Sequence, residues 1–108
     1  MRQFVESFTL YRDLRRDTGF VPDGYTFTTL GKSCGLSLAI WEGQEVHGHV
    51  IKIGFCLDLH VSTALVDMYA RFGKMGYART LFYEMSQRNE VSWTALICGY
   101  LRSGDVII

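Results

Sequence analysis

The side chains best suited to chemistry are histidines and cysteines, and their spacing argues against it. His47 and His49 flank Gly48. An i, i+2 spacing turns two rings to different sides of a helix, whereas chelation from a helix wants i, i+3 or i+4. Cys34, Cys56 and Cys98 are odd in number, widely separated and free of any C-x-x-C spacing. A disulfide scaffold would want an even, denser set, so a reducing compartment is the better reading. No H-x-E is combined with C-x-x-C, so the zinc deaminase signature is missing. Serines, histidines and aspartates lack a nucleophile-elbow context, and glycines occur singly, never as a phosphate loop. The expectation is a chain that is no enzyme, with no catalytic residue, metal site, cofactor or small-molecule substrate.

What does recur is a threonine. Thr28-Thr29-Leu30, Thr63-Ala64-Leu65 and Thr94-Ala95-Leu96 place their leucines 35 and then 31 residues apart. Tyr69 and Tyr100 follow the later leucines by four residues, where Cys34 stands in the first copy. A second pattern lies between these segments. Ser7, Leu10 and Leu14 match Gly43, Val46 and Val50 at an offset of 36, and those match Ala78, Leu81 and Met85 at 35. Two independent patterns with nearly one period mark a repeat protein.

The elements that must carry these residues are helices. A small residue followed by aliphatics three and seven positions on forms one helical stripe. The small residue admits a neighbouring helix, and the aliphatics fill the groove beside it. Helices are expected at about 3–17, 25–36, 40–53, 60–72, 75–86 and 91–102, with breaks at 19–23, 54–58, 73 and 87–90. Gly19 and Gly54 suit C-terminal caps, and Pro22 cannot continue a helix. No segment alternates as a strand would. The fold class is therefore all-α, and helix pairs repeated every 35 residues or so stack as an α-solenoid of antiparallel hairpins. An ordinary six-helix bundle is the alternative. Cys34 and Cys98 fall on packing faces, and Met68, Met75, Met85, Phe72 and Phe82 read as core.

Composition narrows the class further. The 108 residues are 48% hydrophobic and 20% charged, with one proline, which excludes disorder and low complexity. The longest uncharged run, Val91 to Leu101, falls short of the roughly 18 to 20 residues of a bilayer span, so no membrane helix is expected. Eleven basic and eleven acidic side chains cancel, so overall charge makes no case for nucleic acid. The opening MRQFVESF reads as amphipathic helix, unlike a secretory signal or a transit peptide.

Four stretches carry a family likeness: FTLYRDLRRDTGFVPDGYTFTTLGKSC, EGQEVHGHVIKIGF, VSTALVDMYARFGKMGYARTLFYEM and EVSWTALICGYLRSG. Together they resemble plant pentatricopeptide repeat proteins, in the subclass that alternates standard, longer and shorter repeats. The resemblance divides the chain into the end of a standard repeat at 1–23, a long-type repeat at 24–58, a short-type repeat at 59–89 and the start of another standard repeat at 90–108. It implies single-stranded RNA as partner, about one base per repeat, a mitochondrial or chloroplast location, and a share in RNA processing or C-to-U editing, alongside other proteins of an editing complex.

Carried over residue by residue, the resemblance makes Thr28 with Asp58, and Thr63 with Asn89, the base-reading pairs. Asp23 closes the first partial repeat and Thr94 opens the last. Tyr25, His60 and Val91 take the neighbouring position that packs on base faces. A threonine hydroxyl donates or accepts, an asparagine amide does both, and an ionised aspartate only accepts. Adenine is thus expected at 59–89 and guanine at 24–58. Without the resemblance, the threonines read equally as first-turn helix residues, and Asp58 and Asn89 as N-caps. RNA would also need Lys32, Lys52, Arg71 and Lys74 along one concave face. A helical-repeat scaffold for proteins, or a truncated fragment without function, are the alternatives. With only two whole repeats, the isolated chain is expected to be marginally stable and to self-associate.

Overall fold

The structure, a computed structural model, describes residues 2–16 and 22–104. These form six helices: α1 (Arg2–Arg16), α2 (Gly24–Leu36), α3 (Ile40–Ile53), α4 (Leu59–Arg71), α5 (Met75–Glu84) and α6 (Glu90–Ser103). No strand occurs among the described residues. Asp17, the cap expected at Gly19 and the terminal residues 105–108 lie outside them.

Local chemistry explains the ends. Asp23, Asp58 and Asn89 cap α2, α4 and α6 by accepting from the backbone N–H three residues on. Gly54 ends α3 in the left-handed conformation, with φ 96°, as its type predicts. The helix α5 stops at Glu84, two residues before the expected end, because Met85 turns extended. Arg88 then satisfies the open carbonyls: Nε donates to the Phe82 oxygen and Nη2 to that of Tyr83, both at 3.0 Å.

The helices lie in two rows. An inner row, α2–α4–α6, packs closely along its length, and α3 and α5 fold back behind α2 and α4. The molecule is 18 Å thick, the depth of two helix rows. Small residues set the inner spacing. A Cβ on Gly31 would sit 3.5 Å from Ala64 Cβ, and one on Gly99 would sit 2.7 Å from Ala70 Cβ. Lying between neighbours on both sides and α5 behind, α4 is buried nearly all round, from Val61 to Val66 and from Met68 to Ala70.

The outer row depends on side chains rather than close backbones. His49 Nδ1 lies 2.6 Å from the Tyr11 hydroxyl on α1, and His47 Nδ1 lies 2.7 Å from the Tyr69 hydroxyl on α4. The i, i+2 spacing therefore sends the rings to different neighbours. Burial pushes both phenols up to about 12 and depresses both imidazoles. The rings stay neutral at pH 7, and with the proton on Nε2 each Nδ1 accepts the phenolic O–H.

The stripe pattern holds in two copies of three. Gly43, Val46, Val50, Ala78 and Met85 are buried, and Leu81 packs against the core. In α1, Ser7 and Leu10 are exposed, and Phe8 and Tyr11 enter the core instead. The ring of Phe72 fills the space over Gly43. One repeat earlier Ser37 stands in its place and offers no ring to cover Ser7. Cys34 is fully buried, whereas Cys98 corrects the expectation: it is half-exposed in a surface cleft.

Candidate nucleic-acid interface

Each inner helix opens with the same three-part arrangement. A capping side chain precedes the first turn, an exposed residue stands on that turn, and a threonine follows one turn later. The exposed residues are Tyr25, His60 and Val91, with Tyr25 81% exposed. The i, i+3 spacing to Thr28, Thr63 and Thr94 keeps each pair on one helix face.

Two adjoining clefts run along that face. The first, about 260 Å³, is lined by Thr28, Thr63, His60, Asn89, Val91 and Lys32, among others. The second, about 380 Å³, includes Thr94, Arg71, Cys98 and Arg102, and shares Asp67 and Val91 with the first. Thr28, Thr63 and Thr94 thus border one continuous surface. Asp23, Tyr25 and Asp58 line neither cleft. Asp58 lies beside the start of α2 instead, where a Cβ on Gly24 would come within 3.5 Å of its Oδ2.

Hydrogen bonding decides what each group can still offer. Asn89 Oδ1 accepts from the Ser92 N–H at 2.8 Å, while Ser92 Oγ returns to the Asn89 N–H at 3.1 Å. This capping box fixes the amide with its oxygen toward the helix, and its nitrogen has no partner among the described residues. Asn89 therefore presents a donor. Thr63 Oγ1 donates to the Leu59 carbonyl at 2.7 Å, which leaves its lone pairs as acceptor. Thr28 Oγ1 is buried and has no hydrogen-bond partner among the described residues. Asp58 spends Oδ1 on the Val61 N–H at 3.0 Å and keeps Oδ2. Both Oδ1 bonds of Asp23 come from Thr26, backbone and hydroxyl, at 2.9 Å, and they hold its carboxyl below the usual range.

The charges differ from the expected set. Lys32 and Arg71 line the clefts, but Lys52 lies in the last turn of α3 and Lys74 caps α5, both away from this surface. Arg102 joins the inner face instead. It recurs at the spacing of Arg71, a signal the sequence carried. Asp67 and Glu90 accompany these cations, and Asp67 holds Arg71 Nε at 2.8 Å. No group of three metal-ligating side chains is placed to hold a metal among the described residues, and no described helix is long and apolar enough to cross a membrane.

The sequence model of the PPR repeat matches residues 61–90 and 91–107, that is, α4 through the α5–α6 loop and then α6. A pentatricopeptide repeat-containing protein of Arabidopsis thaliana is 59% identical over 98 residues, which are 91% of this chain and 18% of that protein. The chain belongs to the pentatricopeptide repeat family. Another relative from the same plant, named as chloroplastic, is 40% identical over 101 residues, 94% of this chain and 12% of its own length. A third, named as mitochondrial, is 36% identical over 100 residues, 93% of this chain and 15% of its own length. The chain thus spans less than a fifth of each relative. Proteins of this repeat family are generally RNA-binding factors of organellar RNA processing, without enzymatic activity of their own.

Proposed function

We propose that this chain is a base-reading stretch for single-stranded RNA, working within a longer organellar protein of RNA processing or C-to-U editing, in mitochondria or chloroplasts. The carrying observation is the shared face on which Thr28, Thr63 and Thr94 recur, with an exposed residue one turn before each. Tyr25 and His60 would stack on bases, an interaction worth about 1–3 kcal/mol for each aromatic ring, and Val91 would pack its apolar surface on a base face. Lys32, Arg71 and Arg102 supply the positive charge beside them.

The repeat frame proposed is 24–58 and 59–89, flanked by partial repeats at 1–23 and 90–108. In the 59–89 repeat, Thr63 offers an acceptor and Asn89 a donor. Adenine's Watson–Crick edge presents an N–H donor beside a ring-nitrogen acceptor, so the two match. Cytosine shares that donor–acceptor pair, which makes it the competitor to measure. In the 24–58 repeat, the free oxygen of Asp58 suits the N–H donors of guanine, and the buried Thr28 Oγ1 would have to turn outward to join it. Asp23 and Thr94 would read with partners from neighbouring repeats.

The test grafts residues 24–89 into a longer repeat array and compares oligonucleotides differing at one base. Asn89→Asp should move preference from adenine toward guanine, because it replaces the outward amide donor with an acceptor. Unchanged preference removes the base-reading role. Protein partners form a second reading, favoured by zero net charge and by exposed Leu36, Leu38 and Trp41 around the α2–α3 turn. Failure of the grafted array to bind any oligonucleotide, with its fold intact, would turn the assignment to that reading.

A further inference from the structure

The second row has two junctions, α1 with α3 and α3 with α5, and the chain fills only the first from within. There Phe27 of α2 is buried, its ring 5.2 Å from that of His49 and 5.5 Å from that of Phe55. Tyr11 bonds His49, and Arg15 reaches Glu45 at 2.8 Å. One repeat on, each of these positions has changed. Ser62 stands for Phe27, Ile51 for Arg15, Thr80 for Glu45, and His47 and Glu84 for Tyr11 and His49. Ser62 Oγ donates to the Cys56 carbonyl at 2.7 Å, and Thr80 Oγ1 to that of Gly76 in its own helix at 2.9 Å. No hydrogen bond or ion pair joins α3 to α5 among the described residues. What remains is a cleft of about 360 Å³, floored by Ser62 and Leu65 and walled by Val50, Ile51, Leu81 and Met85. Neither α1 nor α6 lines it. Glu84 is the one charged side chain on its described lining at neutral pH, and it has no ion-pair partner among the described residues. Arg88, four residues on, is turned back to the carbonyls of Phe82 and Tyr83. Tyr77, also on the lining, is stacked on Tyr69 at 5.3 Å and leaves more than half of its surface exposed.

We infer that this cleft docks a segment of a partner protein that presents a large apolar side chain beside a lysine or arginine. The apolar group fills from outside the space that Phe27 fills from within one repeat earlier. The cation meets the carboxylate of Glu84 and the ring of Tyr77. An acidic segment would set like charges together, and a neutral one would cover the carboxylate without pairing it. Ligand clefts run from about 300 to 1,000 Å³, so this one suits a single anchor and its neighbour rather than a folded element. Further repeats extend the stack at its ends, whereas the cleft opens on its back, so a longer array leaves it open. It shares no lining residue with the two clefts that the threonines border. Docking here requires no RNA and stands apart from the base-reading proposal.

The experiment selects displayed random dodecapeptides on the full chain without RNA and measures synthetic copies of the enriched sequences by NMR titration. Enriched peptides should carry a large apolar residue within a helical turn of Lys or Arg, and should shift the amides of Ile51, Leu57 and Leu81. Glu84→Gln should weaken them by up to about fivefold, the range of an exposed ion pair. Glu84→Lys should turn the selected charge from basic to acidic. Ser62→Phe restores the ring of the earlier repeat and should abolish binding. Because Ser62 is buried, Ile51→Arg with Thr80→Glu provides a second closure at exposed positions, recreating the Arg15–Glu45 pair, and circular dichroism verifies folding. No enrichment, a charge preference unmoved by Glu84→Lys, or binding that survives the Ile51→Arg, Thr80→Glu variant overturns the proposal. Shifts at these amides that grow with protein concentration alone would assign the cleft to a second copy and equally overturn it.

Discussion

Leu38 carries the one positive φ outside glycine among the described residues, 53°, in the α2–α3 turn. The equivalent turn after α4 uses Gly73, with φ 78°. A left-handed conformation costs a non-glycine residue about 1–2 kcal/mol, and Leu38 is 62% exposed, so little burial repays it. Leu38→Gly should therefore stabilise the chain by up to about 1 kcal/mol after glycine's own entropy cost, read as a higher melting temperature. The buried, unpartnered hydroxyl of Thr28 leads to a second expectation. Thr28→Val keeps the shape and removes the orphan group, so stability should hold or rise by about 1 kcal/mol while any base preference at that repeat is lost. Asn89 separates the two roles of a capping residue. Asn89→Ala should cost about 0.5–2 kcal/mol in chemical denaturation, whereas Asn89→Asp keeps the cap and changes only what faces outward. Such detail was partly hidden in the sequence. The helices on either side of GLSLAI were expected, but the segment has no glycine at the left-handed position, so nothing in it signals the conformation of Leu38.

Among elements, the inner helices depend on close approach. A Cβ at Gly99 would meet Ala70 Cβ at 2.7 Å and Met75 Sδ at 2.8 Å. Met75 can swing aside, but Ala70 sits on the α4 backbone, so Gly99→Ala should cost about 1–3 kcal/mol in urea denaturation. Helix number, order and breaks were legible in the sequence because small-aliphatic stripes recur at helical spacing and cap residues punctuate them. What a stripe cannot tell is whether a partner arrives to cover it. Leu10 has the spacing of Val46, yet nothing buries it, since that depends on the neighbour and not on the helix itself. The same limit explains Cys98, and also Lys52 and Lys74. Their sequence positions identify neither the row nor the face on which a long side chain emerges. The capping of α5 by Arg88 had no sequence signal beyond a cation after a helix end.

At the scale of the whole molecule, neutral histidines tie α3 to α1 and to α4, and this sets a pH dependence. In the folded chain, burial depresses His47 and His49 below 6.5; Glu84 opposes the shift at His47, while at His49 Arg15 and Lys52 reinforce it and Glu45 opposes it. Protonation thus favours the unfolded chain. Their contribution is present above about pH 6.5 and lost as pH falls below it. Tyr11 and Tyr69, raised to about 12, contribute fully below 10 and lose that contribution as pH rises from 10 toward 12. Urea midpoints should be flat between these limits and fall on either side, and His47→Phe should blunt the acidic fall. The two rows also differ in spacing: glycines let the inner helices nearly touch, while a phenol–imidazole pair, Tyr11–His49, bridges the outer helices α1 and α3. Each unit is consequently a wedge, and a longer series of such wedges must coil, with the threonines on the inside of the bend. The size of a few glycine-facing side chains would then set the pitch of that coil, and with it the distance from one threonine to the next.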